Sequence, residues 1–398
     1  MTCGPFLKKI MIFSVPLILT GILQLAYNTA DVIVVGRFVG KEALAAVGST
    51  GSLVNLFLNV FLGLSMGSGV MVARYIGARD DKSVSDSVHT SMLLSVICGV
   101  FIGIIGYFFS GQMLRLMKVP DDVLELATLY LKVYFMGSPG LLVYNFGASI
   151  VRSTGDTKRP LVILAVSGLV NVILNVVLIV TFGFGVEGVA IATIVSQYLS
   201  AVMITVYLLK INNSCRLDFK KIRIVKNDLF HILKLGLPAG IQNSLFSVSN
   251  VIIQSTVNSF GSVAMAGIAA GSNFDSYIYT GTNAVAQTAM TFTSQNIGAR
   301  KVENIGKVYR YCLLFALSIG VVLGAVGTVF SDEIVRFFSD DAEVILMATN
   351  YLKALGLNDL SVELNSLGCP ECREVYKNKI KEVLKPEFDN LCEDCRYC

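Results

Sequence analysis

Residues Pro16 to Gly40 read PLILTGILQLAYNTADVIVVGRFVG. Between Lys9 and Arg37 the chain carries one charged side chain, Asp31, in an apolar run long enough for a helix of about 20 residues to cross a bilayer. A carboxylate near the middle of such a helix costs roughly 2.5–3.5 kcal/mol, and groups of this kind face a bundle interior or a water-filled path. Gln24, Asn28 and Asp31 are spaced by four and then three residues, which stacks them as a polar stripe on one side of the helix. Two readings stand: a hydrogen-bonded cluster that only holds helices together, or a proton- or cation-binding site in a transporter.

The whole chain shares this character. Of its 398 residues 54% are hydrophobic and 15% charged, and the mean hydropathy of +0.67 excludes an ordinary soluble globular protein. The first apolar segment follows Lys8 and Lys9, is too long for a signal-peptide core and lacks a small-residue cleavage site, so it is read as a retained span. Apolar runs place helices near 11–36, 44–75, 88–110, 123–151, 160–182, 186–209, 236–259, 264–296 and 309–330. The expected fold is therefore an all-α polytopic membrane protein with nine spans and a partial tenth. Nineteen Lys and Arg fall in alternate loops against five in the others, which predicts a cytoplasmic amino terminus.

A repeat with a period of about 221 residues runs through these spans. Tyr75-Ile76-Gly77-Ala78-Arg79 answers to Asn296-Ile297-Gly298-Ala299-Arg300, and Ala43-Leu44-Ala45-Ala46-Val47 to Ala264-Met265-Ala266-Gly267-Ile268. Ala127-Thr128-Leu129-Tyr130-Leu131-Lys132 answers to Ala348-Thr349-Asn350-Tyr351-Leu352-Lys353, and Pro16 to Pro238 after one gap. Six spans precede the second copy, so the copies are parallel repeats related by an axis along the membrane normal. The predicted organisation is an amino-terminal six-helix lobe over 1–210, a basic cytoplasmic loop over 211–235, an incomplete second lobe over 236–357, and a charged cysteine-rich tail over 358–398 that is read as a foreign fragment.

Gln24 to Asp31 running on to Val35-Gly36-Arg37-Phe38-Val39-Gly40, together with Arg152-Ser153-Thr154-Gly155-Asp156-Thr157-Lys158-Arg159-Pro160 and Gln295-Asn296-Ile297-Gly298-Ala299, resembles the multidrug and toxic compound extrusion (MATE) transporters over about 1–355. The resemblance implies two six-helix lobes around a cavity alternately open to each side. It also implies a multi-pass protein of the cell's inner membrane, monomeric in the bilayer. Such a protein exports small organic, often cationic, compounds against inward H⁺ or Na⁺ flow, with no nucleic acid partner and no required cofactor. Carried over by position, Asp31 matches the first-lobe acid, Asn171 a polar partner on the fifth span and Thr193 another on the sixth. Asn175 stands where some members carry a second acid, which puts a carboxylate-rich Na⁺ site in doubt. Asp275 matches an acidic position of the second lobe or is a solvated interfacial side chain. Met66, Met71, Phe57, Phe61, Tyr144 and Phe146 are read as helix packing or as lining of an adaptable apolar cavity. A lipid-linked oligosaccharide flippase of the same superfamily is the alternative, and the absence of basic residues within the apolar spans speaks against it.

The repeat predicts more helices after Lys353 than the chain carries, so the second lobe is expected to be truncated, with an inactive chimeric relic as one consequence. The tail has 15 charged residues from Asn358 on. Cys369-Pro370-Glu371-Cys372 and Cys392-Glu393-Asp394-Cys395 give a C-x2-C-x19-C-x2-C spacing that suits a tetrahedral zinc site. Ser361 to Cys372 with Leu391 to Cys395 also resembles an internal segment of bacterial histidyl-tRNA synthetases, without that enzyme's ATP or histidine motifs. No enzymatic activity is expected from it.

Overall fold

The structure is a computed structural model that describes residues 1–330 apart from 118, 120 and 259–261. The tail cysteines 369, 372, 392 and 395, Lys353 and the whole 358–398 segment lie outside the described residues. Among the described residues every regular element is helical. The helices are α1 (Phe6–Phe38), α2 (Lys41–Ala78), α3 (Asp81–Leu116), α4 (Asp121–Met136), α5 (Ser138–Ser153), α6 (Lys158–Val176), α7 (Val186–Lys210), α8 (Lys226–Asn258), α9 (Ser262–Gly298) and α10 (Ile305–Val329). Two expected boundaries move. The predicted span 123–151 is two helices, α4 and α5, bent by 46°. Gly137-Ser138-Pro139 explains the break: Pro139 stands at the start of α5, where it supplies no N–H, and Ser138 Oγ caps the freed Phe135 carbonyl at 2.7 Å.

Among the described residues six helices, or seven spans with the bent pair counted as one, are long and apolar enough to cross a membrane. The other two expected spans, in α8 and α9, are long enough at 33 and 37 residues but more polar. Asn243, Ser244 and Ser247 on α8 and Thr280 and Thr288 on α9 lie along stretches that pack on the first lobe, where lipid does not dictate composition.

The repeat is visible in three dimensions. Both Ile-Gly-Ala-Arg blocks end their helix in the same way, with Arg79 and Arg300 each at φ 58°. In each the arginine N–H reaches the carbonyl three residues back and the next N–H reaches five residues back: Arg79 to Ile76 and Asp80 to Tyr75, then Arg300 to Ile297 and Lys301 to Asn296. This is the left-handed cap that satisfies the orphan carbonyls of a helix end. The two ends then meet across a pseudo-two-fold axis. A Cβ on Gly77 would lie 2.0 Å from the Gln295 carbonyl oxygen, and a Cβ on Gly298, its repeat partner, 1.9 Å from that of Arg74. Neither position has room for any side chain.

Away from the axis α2 runs antiparallel to α8 in equally close contact. Gly63 packs on Gly240 and Gly67 on Gly236, with Asn59 Nδ2 donating to Ser247 Oγ at 3.1 Å further along. The repeat-related contact joins α1 to α9, where Ser14 donates to Thr288 Oγ1 at 2.8 Å because the Thr288 hydroxyl is committed to Ala284 O. One repeat on, Ser14 becomes Gly236 and Thr288 becomes Gly67, so a hydroxyl pair on one side of the seam answers to a glycine pair on the other. The first half of α1 (Phe6, Ile10, Phe13, Leu17) is buried in a cluster with Ala284, Val285 and Phe292 of α9 and Val308 and Cys312 of α10. Its second half packs on α6 and α7. α1 thus belongs to both lobes.

The predicted loop 211–235 is shorter than expected. α8 starts at Lys226, because Leu229 and Ile232 already pack into the first-lobe core. The remaining linker is pinned to the start of α3. Thr90 Oγ1 donates to Arg223 O and accepts the Val225 N–H, Arg223 pairs with Asp86 at 2.8 Å, and the Asp218 N–H donates to His89 Nε2 at 3.0 Å. The His89 Nδ1 contact to Ser85 O at 2.6 Å then requires the proton on Nδ1, so the ring is held neutral with both nitrogens used.

At the same end Tyr75 of α2 donates to Asp228 in the first turn of α8 at 3.0 Å. Burial pushes the Asp228 carboxyl above the ordinary carboxylate range, and the Tyr75 hydroxyl pulls the other way. For an acid whose folded value is raised, stability is fully present below the unfolded value and declines as pH rises. Tyr75→Phe removes the opposing donor and steepens that decline. A loss of about 1 kcal/mol is expected at neutral pH and recovery at acid pH, measured as detergent-solubilised Tm against pH; a parallel pair of profiles would show that the bond bears no load.

Candidate functional site

The polar stripe of α1 faces a cavity of about 280 Å³ inside the first lobe. Its wall comes from α1, α4, α5, α6 and α7. Gly168 on α6 makes the α1–α6 contact: a Cβ there would strike the Tyr27 ring at 2.0 Å, and the ring's hydroxyl donates to Ala165 O at 3.1 Å. This close approach sets α6 one helical face away from Asp31. Asn175 is completely buried and its amide donates to Asp31 Oδ1. Asn175 also donates to Asn171 Oδ1 at 3.3 Å, Asn171 to Thr193 Oγ1 at 3.5 Å, and Thr193 to Val189 O at 2.9 Å. One hydrogen-bonded chain therefore runs from the carboxylate through three helices.

Five of the predicted first-lobe residues, Gln24, Asn28, Asp31, Asn171 and Thr193, line this one cavity, and the sixth, Asn175, bonds Asp31 from behind it. Gln24 and Asn28 are exposed at its wall, while Asp31 is half-buried. Asp275 is not brought to it; its side chain is exposed on α9. Among the aromatic and methionine candidates only Tyr144 lines this cavity. Met71 and Phe146 are core residues, and Phe57 and Phe61 line a separate apolar pocket with Phe101 and Phe135.

The residues that sequence reasoning missed are tyrosines. Tyr27, Tyr130 and Tyr134 join Tyr144 around the carboxylate, with Tyr130 and Tyr134 stacked at 5.9 Å and 29°. Tyr130 and Tyr134 are one turn apart on α4, a spacing that marks one helix face, but nothing in the sequence says that this face meets α1. Gln197 of α7 also lines the space, and its Oε1 is buried without a hydrogen-bond partner. The Asn175 Oδ1 is in the same condition. The lining holds a single carboxylate and no basic side chain.

A bundle of long apolar helices in two repeat-related lobes, one of them enclosing a polar, aromatic cavity with an embedded acid, is the architecture of a polytopic membrane transporter. Comparison with known proteins gives the family. The family model described as MatE matches residues 16–177 and 238–364. The "Probable multidrug resistance protein YoeA" of Bacillus subtilis is 31% identical over 352 residues, covering 87% of this chain and 76% of that protein. The "FAD transporter" of Shewanella oneidensis is 26% identical over 362 residues, covering 88% and 78%. A solved outward-facing structure of a multidrug resistance MATE family transporter superposes with a TM-score of 0.77 at 28% identity, covering 84% of this chain and 74% of that one. The chain belongs to the MatE family, whose members are transporters and not enzymes. The match runs to residue 364, beyond the resemblance read to about 355 and into the start of the expected tail.

The Asp31–Asn175 bond joins a charged acceptor to a buried donor, and such bonds contribute roughly 1.5–3 kcal/mol. Asn175→Leu is expected to destabilise the protein by about that much at neutral pH, and by much less when Asp31→Asn is already present. Additive Tm losses in this double-mutant cycle would show the pair to be uncoupled.

Proposed function

We propose that this protein exports small organic cations in exchange for protons, with Asp31 as the group that carries the proton. The observation that carries the reading is the single carboxylate at the wall of a tyrosine-lined cavity, held by one amide and otherwise facing the space. Cations are attracted to the faces of aromatic rings, with stronger attraction where the site is desolvated. The ionised Asp31 beside four tyrosines suits an organic cation; the neutral form does not.

Protonation changes the local hydrogen bonding as well as the charge. With Asp31 ionised, the Asn175 N–H donates to it. When Asp31 takes a proton, Asn175 can turn its Oδ1, which lacks a partner, to accept the new O–H. Each form is thus satisfied by the same side chain. Cargo and proton are coupled because each favours a different state of one lobe. The single carboxylate of the lining favours H⁺ over Na⁺, because a hard cation is held best by several oxygen ligands that include carboxylates. The lack of basic lining residues disfavours a pyrophosphate-bearing lipid-linked saccharide as cargo.

The distribution of basic residues among the loops supports a cytoplasmic amino terminus, linker and α9–α10 turn in the inner membrane. The close glycine contacts of α2 with α9 support a state sealed on that side. The protein works as a monomer in the lipid bilayer, since one chain supplies the whole cavity.

In proteoliposomes with an imposed pH gradient, Asp31→Asn is expected to reduce ethidium transport at least tenfold, and replacing Na⁺ with K⁺ is expected to leave the wild-type rate unchanged. Wild-type transport by the variant would remove Asp31 from the mechanism. A rate that follows the Na⁺ gradient would replace the proton with sodium.

A further inference from the structure

The lipid-facing side of the first lobe carries a second charged feature that the cavity does not use. α3 and α4 run antiparallel, with Gly111 against Thr128 and Gly106 against Phe135. They bound a groove of about 510 Å³ lined by Arg115, Glu125, Thr128 and Lys132 with Gly111, Leu124 and Leu129. Nearby on α3, Ile104 and Phe108 are 54% and 70% exposed, so the groove opens where the helix meets lipid.

Its depth is set by the sequence. The apolar run of α3 ends at about residue 110, three residues past Tyr107 and five before Arg115. At about 1.5 Å per residue, Tyr107 lies roughly 5 Å inside the hydrocarbon and Arg115 roughly 8 Å beyond it. The Lys132 ammonium sits over the Tyr107 ring, 5.8 Å from its centroid, a cation–π contact that keeps it within about 6 Å of the Tyr107 level. A lysine there is costly unless it reaches the interface or meets a partner. Among the described residues the ion pair formed is Arg223–Asp86, so Glu125 neutralises neither Arg115 nor Lys132. Among the described lining residues the charges sum to one net positive beside a hydroxyl, at the boundary between acyl chains and headgroups.

We propose that this groove binds the phosphodiester of a glycerophospholipid with one net negative charge, in the leaflet opposite the linker. Lys132 meets the phosphate from the hydrocarbon side and Arg115 from the aqueous side, Thr128 donates its hydroxyl, and Glu125 accepts from a headgroup hydroxyl. The charges then sum to zero. Basic pockets between membrane helices take anionic headgroups by the same electrostatics. An anchored phosphate suits the site better than a free one, because Tyr107 and Arg115 lie on either side of the boundary between acyl chains and headgroups.

The block Ala127 to Lys132, singled out by the repeat, now has a role for each face. Ala127 and Leu131 are buried in the core, Tyr130 and Tyr134 face the cavity, and Thr128 and Lys132 face the groove. A bound lipid would hold the helix whose opposite face carries the stacked tyrosines.

The test is native mass spectrometry of the full chain in detergent, titrated with phosphatidylglycerol or phosphatidylcholine of matched acyl chains. Wild type is expected to retain phosphatidylglycerol preferentially. Arg115→Gln and Lys132→Gln should each weaken retention about fivefold, while Lys132→Arg, which keeps the charge, and Lys220→Gln in the linker should leave it unchanged. Excess inorganic phosphate should not displace the lipid. Equal retention of the two lipids, equal retention by the Gln variants, or displacement by phosphate would each overturn the assignment. Thr128→Val, which removes one donor at nearly constant volume, gives a weaker loss than either base and keeps the test decisive should a charge variant fail to fold.

Discussion

The closest constraint in the molecule is the approach of α2 and α9 at the pseudo-two-fold axis, where Gly77 and Gly298 leave no space for a Cβ against the facing backbone. In a bilayer the hydrophobic effect does little to drive one helix onto another, so association rests on van der Waals packing and interhelical hydrogen bonds, and small residues let backbones come near. The two lobes meet on that basis. From the axis the contact spreads along α2 and α8 through Gly63–Gly240 and Gly67–Gly236, and along α1 and α9 through the Ser14–Thr288 hydroxyls. The seam lies at the linker end of the bundle.

α1 transmits this constraint to the site. Its first half is buried against α9 and α10, and its second half is tied to α6 by the Tyr27 ring lodged at Gly168 and by the Asp31–Asn175 bond. A change in lobe geometry therefore acts on the helix that carries Asp31. The linker, by contrast, is stapled to α3 through Thr90, Asp86 and His89, so it is fixed to the first lobe. The physical content of coupling here is a single helix shared by two bodies, with an acid at one of its ends.

The polar groups inside the bundle also show which part of the site is structural. Asn171, Thr193 and the Asn175 N–H satisfy one another and the carboxylate, which offsets the cost of burying them. Gln24, Asn28 and the four tyrosines present their remaining surface to the cavity. The hydrogen-bonded chain positions the acid, and the tyrosines line the space it faces.

Much of this was legible in the chain. The apolar runs, the isolated Asp31, the four-and-three spacing of Gln24, Asn28 and Asp31, and the 221-residue repeat determined an all-helical membrane fold with duplicated halves and a polar stripe, because helix periodicity and the cost of a charge in lipid are local properties. Gly137-Ser138-Pro139 held the signal for the α4–α5 bend, yet composition alone read through it as one span. What only the tertiary structure decided is which faces meet. The cage of Tyr27, Tyr130, Tyr134 and Tyr144 comes from three helices whose rotation about their own axes no single-helix pattern specifies. The glycines of the seam look like any others until the opposing backbone arrives. Lys132 reads as an ordinary charge in a repeat block until α3 and α4 pack antiparallel and set it beside Tyr107 on the lipid side. A sequence states what each face of a helix is made of, and side-chain fit between helices distant in the chain chooses what each face touches.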